Sequence, residues 1–163
     1  MAQSVPDRRH LVLIGLMGVG KSTVGRRCAD RLGRRFVDTD DVLIELARAP
    51  LTEAFATLGE ARLRDLEQRV VAETIESQEA LVIACGGGTV LRPATRELLR
   101  AAGIVIWLRA PTSVLSGRVG IGDGRPMLAD NPAESLARLG ATREPAYRAA
   151  ADAIVDSDAA IDT

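Results

Sequence analysis

The sequence predicts an α/β fold of three layers, a five-stranded parallel sheet between two layers of helices, and three observations lead there. Short apolar runs recur along the chain, longer stretches of helical spacing separate them, and a glycine-rich turn joins the first run to the first helix. Apolar runs without alternation suit strands buried on both faces, and strand alternating with helix is the connectivity of a parallel sheet.

Taken in order, the first strand is expected at 11–14, where Leu, Val, Leu and Ile follow one another. The first helix starts in the glycine turn at Lys21 and ends near Leu32, with Gly33 as its stop signal. A short second strand at 36–37 precedes helices at 41–47 and 52–57. The clearest helix runs over 60–76, where Leu63, Leu66, Val70 and Ile75 recur at helical spacing between Arg and Glu, a stripe that should lie on the core. The third strand, 81–84, runs towards Gly86, Gly87 and Gly88. A helix at 93–102, the fourth strand at 104–108 and a helix at 112–119 follow. Glycines 120, 122 and 124 and Pro126 then cluster, so 120–130 reads as a mobile lid. A last helix at 132–147 leads to the fifth strand at 153–155. With no repeat, low-complexity tract or long linker, residues 1–163 are expected to form a single domain.

Composition excludes several classes of function. A chain of 163 residues, 47% hydrophobic, can remove roughly two thirds of its unfolded surface from water, so it should fold alone; a monomer is expected. Its 21 basic and 22 acidic side chains leave a net charge of -1, too balanced for wrapping nucleic acid or coating an acidic membrane. Aromatic residues are only 2%, which argues against a surface that stacks bases. Cys28 and Cys85 are too few for a disulfide framework and read as reduced, packed thiols, as in a cytoplasmic protein. No apolar stretch approaches the ~20 residues that cross a bilayer, and residues 1–9 carry no export signal. Of the basic side chains only Lys21 is a lysine.

That lysine belongs to the segment with the strongest chemistry. Gly15-Leu16-Met17-Gly18-Val19-Gly20-Lys21-Ser22-Thr23 fits the phosphate-binding pattern G-x-x-x-x-G-K-[ST], between a buried strand and an amphipathic helix. Glycines let backbone N–H groups close around a phosphate, and the following helix N-terminus adds partial positive charge. Gly18 to Thr23 would hold the nucleotide, Lys21 would neutralise its β- and γ-phosphates, and the Ser22 hydroxyl would ligate Mg²⁺. A guanine-reading Asn/Thr-Lys-x-Asp segment needs a second lysine, so ATP is favoured over GTP. The strand at 81–84 ends without an acid, so another carboxylate must organise the metal. Asp38-Thr39-Asp40 is the candidate: at the end of the second strand, residues two apart face the same way, so both acids can enter the cleft. One acid can hold Mg²⁺ through water while the other prepares an acceptor hydroxyl. Asp41 is read as a solvated cap of the next helix.

An ordered set of segments over nearly the whole chain resembles the shikimate kinase family, small P-loop kinases related to the nucleoside monophosphate kinases. The set comprises Gly15 to Thr23, Asp38-Thr39-Asp40, Phe55 to Arg64, Gly86-Gly87-Gly88, Arg125-Pro126-Met127-Leu128 and Arg143-Glu-Pro-Ala-Tyr147-Arg148. The resemblance implies transfer of the ATP γ-phosphate to the 3-hydroxyl of shikimate, on the route to chorismate and the aromatic amino acids. It also implies site roles. Asp38 matches the metal-side acid, and Asp40 the acid that binds the shikimate hydroxyls and acts as base. Arg64 and Arg148 match the arginines that grip the shikimate carboxylate, a contact that suits a planar guanidinium fork. Gly86 to Gly88 match the substrate-binding turn, Arg118 the residue that packs on adenine, and Arg125 the lid arginine. Two departures stand out: Leu63 occupies a position that is usually Phe, and the family's usual C-terminal helix has no counterpart here. Two rival readings are another small-metabolite kinase, such as gluconate kinase, and a non-catalytic ATP-binding switch. The combination of Asp-Thr-Asp, the triple glycine and Arg-Pro-Met-Leu argues against the first, and a switch would not need two acids and two arginines converging on an acceptor pocket.

Overall fold

The structure is a computed structural model that describes residues 9–119 and 131–157. Along the chain run β1 (His10–Ile14), α1 (Lys21–Leu32), β2 (Phe36–Asp38), α2 (Thr39–Ala47), α3 (Leu51–Leu58) and α4 (Glu60–Ile75). They are followed by β3 (Val82–Ala84), a 3₁₀ turn (Thr89–Leu91), α5 (Pro93–Ala102), β4 (Gly103–Arg109), α6 (Thr112–Arg118), α7 (Pro132–Ala150) and β5 (Ala153–Asp156). The expected lid at 120–130, with Arg125, lies outside the described residues.

The five strands form one sheet in the order β2-β3-β1-β4-β5, with every pairing parallel. Helices cover both sides. Residue alternation assigns the faces. Leu13 of β1 lies beside Gly25 of α1 and pairs laterally with Ile106, whereas the next pair, Ile14 and Trp107, faces the other way. There Trp107 stacks on Tyr147 of α7, with ring centroids 5.6 Å apart. Strand β1 is the central strand, and Val12, Leu13 and Ile14 are buried. On the β5 edge Ile154 and Val155 remain exposed. A second apolar cluster of Leu43, Ala54, Leu63 and Val70 ties α2, α3 and α4 into the wall that overhangs the sheet's carboxyl edge. The stripe expected on the long helix thus serves this wall through Leu63 and Val70, while Ile75 packs on the main core.

The sole histidine fastens the opposite edge. His10 is buried; its Nδ1 accepts a hydrogen bond from the Leu81 N–H at 3.1 Å. The ring proton therefore sits on Nε2, which donates to the Ile75 carbonyl at 3.1 Å. One side chain thus joins the starts of β1 and β3 to the end of α4 and leaves no ring nitrogen for chemistry.

The departure from the expected boundaries that bears on the site occurs at α2. It begins at Thr39 rather than 41, because Asp38 is its N-cap: the Asp38 side chain accepts from the Asp40 N–H. Asp41, the expected cap, lies exposed in the first turn instead.

Candidate active site

The carboxyl ends of the strands open into a cavity of about 670 Å³. One end is the glycine-rich loop. Gly20 caps α1 with φ 100, a conformation that suits glycine, and no side chain caps the helix, so the first N–H groups are left for a ligand. Met17, Gly18, Gly20, Lys21, Ser22 and Thr23 line the cavity. Val19 does not: its side chain is buried, and its carbonyl accepts from the Ser157 hydroxyl at 2.9 Å. Lys21 Nζ bridges the loop, donating to the carbonyls of Gly15 at 2.9 Å and Leu16 at 3.1 Å.

Below the loop stand the two acids, brought together differently from the expectation. They do not share the face of a strand, since only Asp38 is in β2. Asp38 turns the chain by capping α2, and Asp40 enters the cavity from the first helical turn. Asp38 Oδ2 accepts from the Ser22 hydroxyl at 2.6 Å, while its Oδ1 accepts from the Asp40 N–H at 3.0 Å. The Asp40 carboxyl is raised to about 6, first by burial and then by the charges of Asp38 and Glu67, with Lys21 opposing. Cys85, buried directly after β3, is pushed up to about 12 by burial, so it remains a protonated filler.

The far end carries the arginines. Arg64 Nη1 donates to both carboxylate oxygens of Glu67, at 2.8 and 2.7 Å, and its Nε is buried without a hydrogen-bond partner. The guanidinium lies so close to Gly88 that any side chain there would collide with it. Gly86 faces Asp40, and its N–H donates to Thr39 Oγ1 at 3.1 Å; Gly87 and Gly88 line the cavity. Ile44, Pro50, Leu51, Phe55 and Leu63 supply the apolar wall.

Arg148 is not brought to this cavity. It is exposed on the outer side of α7, bonded to Glu144 at 2.8 Å and 5.6 Å from the Trp107 ring centre. Arg143 lines the cavity instead, although it is buried. Five residues along a helix turn a side chain by about 140°, so Arg143 and Arg148 face different sides of α7. The signal for Arg143 was available: it interrupts the stripe Leu136, Leu139, Tyr147 and Ala150 on the inner face of α7. The Tyr147 hydroxyl donates to the Gly87 carbonyl at 2.6 Å and is itself bonded to Arg143. Glu67 was also missed, and its i, i+3 spacing from Arg64 was the clue. Arg118 reaches the cavity rim at the end of α6, where it donates to the Ser157 carbonyl at 3.1 Å.

A phosphate cradle, two acids and two arginines along one cavity suit phosphoryl transfer to a hydroxyl of a small carboxylate. Among the described residues no group of three His, Cys, Asp or Glu could hold a metal by itself. Mg²⁺ needs no such group, because it takes one or two protein oxygens together with substrate phosphates and water. The hard oxygens of Ser22 and Asp38, already in contact, fit that demand.

The sequence profile of shikimate kinase matches residues 17–162. A shikimate kinase of Novosphingobium aromaticivorans is 46% identical over 85% of this chain and 74% of its own length. The structure of the Acinetobacter baumannii shikimate kinase in complex with shikimate superposes with TM-score 0.90, at 34% identity, over 94% of this chain and 86% of that one. A gluconokinase from Sinorhizobium meliloti matches at TM-score 0.55 and 22% identity, covering 94% of this chain and 85% of its own, which is likeness of fold alone.

Proposed function

The chain belongs to the shikimate kinase family and phosphorylates shikimate with ATP, and we propose that its described residues divide that reaction between the two ends of the cavity. The acceptor is the 3-hydroxyl, and the products are shikimate 3-phosphate and ADP. The observation that carries the reading is the convergence of Asp40, Arg64 and Arg143 on the cavity that begins at the phosphate loop.

In this reading Arg64 and Arg143 hold the shikimate carboxylate, which fixes the ring with one hydroxyl towards Asp40. The Asp40 carboxylate accepts the proton of that hydroxyl as its oxygen attacks the γ-phosphorus and the bond to the β–γ bridging oxygen breaks. The loop N–H groups and Lys21 counter the charge on the phosphates. Ser22 and Asp38 would hold Mg²⁺, which when bound neutralises phosphate charge. Arg118 at the rim would pack on adenine, and Arg125, outside the described residues, would act on the ATP side. Among the described residues no helix is long and apolar enough to cross a membrane, and the free thiols of Cys28 and Cys85 support a cytoplasmic location.

The test is ADP release with shikimate, with gluconate and without acceptor, followed by NMR of the product. Stimulation by shikimate alone is expected, with phosphorus coupled to the proton at C3; phosphate on another carbon would overturn the regiochemistry. The arginine assignment has its own check. Arg64→Lys and Arg143→Lys keep the charge and lose the fork, so each should raise the KM for shikimate by roughly 10- to 100-fold. The KM for ATP should hold, and Arg148→Ala should change neither value by more than about twofold. A large effect of Arg148→Ala would return that residue to the site.

A further inference from the structure

Ser157 follows β5, and every polar atom it owns is bonded. Its N–H donates to the Arg109 carbonyl at 2.7 Å, at the end of β4. Its hydroxyl donates to the Val19 carbonyl at 2.9 Å, within the phosphate loop and 138 residues away in sequence. Its own carbonyl accepts from Arg118 Nη1 at 3.1 Å, at the end of α6. One residue therefore joins the sheet edge, the phosphate loop and the rim arginine.

The bond to Val19 matters because of peptide geometry. The Val19 carbonyl and the Gly20 N–H belong to one planar trans peptide, in which C=O and N–H point in opposite directions. Holding the carbonyl towards Ser157 keeps the Gly20 N–H turned towards the cavity that Gly20 lines. Glycine at position 20 has no side chain to resist rotation of that peptide, and glycine adopts φ on either side of zero, so its φ of 100 is not held by sterics. The loop's own bonds near this point are modest: Val19 N–H donates to the Leu16 carbonyl at 3.3 Å.

We infer that Ser157 is a positioning residue for the nucleotide, fixing the Val19–Gly20 peptide so that the Gly20 N–H meets a phosphate, and setting Arg118 at the rim by its carbonyl. The inference rests on the loop being the ATP phosphate cradle. It assigns Ser157 no contact with the acceptor, since no residue of the acceptor end touches it.

The experiment compares Ser157→Ala and Ser157→Thr with the wild type. ADP affinity is read by titration calorimetry without any acceptor, and KM is read for each substrate separately. Loss of one preorganising hydrogen bond should weaken ADP binding and raise the KM for ATP by roughly three- to tenfold in Ser157→Ala. The KM for shikimate should stay within about twofold, and Ser157→Thr, which keeps the hydroxyl, should restore nucleotide affinity. Unchanged ADP affinity in Ser157→Ala, or equal rises in both KM values, would overturn the inference. So would a threonine variant as weak as the alanine one. If the alanine variant does not fold, the threonine variant decides: nucleotide affinity well below wild type overturns the inference, and affinity kept supports it. A wild-type protein that binds ADP but ignores shikimate would sink the acceptor assignment instead and leave the ADP comparison intact.

Discussion

Lys21→Ala should lower turnover by roughly 10²- to 10³-fold or more while leaving the melting temperature close to wild type. The ammonium spans the carbonyls of Gly15 and Leu16 at the mouth of the cradle and is no part of the apolar core. Its removal costs the fold the partly solvated hydrogen bonds to those carbonyls. The reaction loses the compact cation that meets charge shifting from the γ-phosphate to the leaving oxygen. Lys21→Arg should not rescue, because a planar fork cannot take the place of a point charge on a flexible stem. Turnover within tenfold of wild type in the alanine variant would remove Lys21 from the reaction. The composition offers a second route to the same point, since the chain has a single lysine among 21 basic residues. An amine-selective reagent therefore meets one side-chain amine, and saturating ATP should protect it.

Asp40→Asn should separate activity from stability. Loss of the base is worth roughly 10²- to 10⁴-fold in turnover, yet the same change should make the ligand-free protein more stable at neutral pH. The sign follows from the raised carboxyl, about 6 against an ordinary 3.8. Between those values the folded state holds a proton that the unfolded state has released, so wild-type stability falls as pH rises through that window. Above about pH 6 the full cost of the buried charge is present, roughly 2 to 3 kcal/mol. Asparagine avoids it. Urea denaturation at pH 8 should show the variant ahead by that order, with the gap closing towards pH 4. In the wild type, kcat/KM should rise with pH through an acid limb near 6 as the base loses its proton. A variant less stable than wild type at pH 8, or a flat wild-type profile between pH 5 and 7, would contradict the role given to Asp40.

The fold could be read from the sequence because its signals are local. Buried strands, the helix at Glu60–Ile75 and the glycine turn each announce themselves within a few residues. The site was less legible wherever the decisive fact was orientation. Spacing alone puts the acids at 38 and 40 on one strand face, yet the chain leaves the strand at Asp38, whose short acceptor side chain competes for the helix N-terminus. The motif points to Arg148 whereas the structure brings Arg143 to the cavity, because a motif fixes an order of residues and not the face each occupies. Arg143 lies within the apolar stripe of that helix, and there its charge is held against Tyr147 at the cavity. Ser157 had no sequence signal at all, since its three bonds join segments remote in the chain.

The stacked pair of Trp107 and Tyr147 makes the enzyme its own optical instrument. Trp107 is the only tryptophan, its ring centre lies 5.6 Å from that of Tyr147, and the Tyr147 hydroxyl is bonded at 2.6 Å to the Gly87 carbonyl. Arg109 and Arg148 stand over the same indole at 5.8 and 5.6 Å. Indole emission responds to neighbouring rings and cations, so a shift of Gly87 or Arg143 on acceptor binding is passed through one tyrosine to one fluorophore. Phosphate-loop occupancy is sensed at Lys21, on the other side of the cavity. Light and amine chemistry can therefore report on the acceptor end and on the phosphate loop of the same chain.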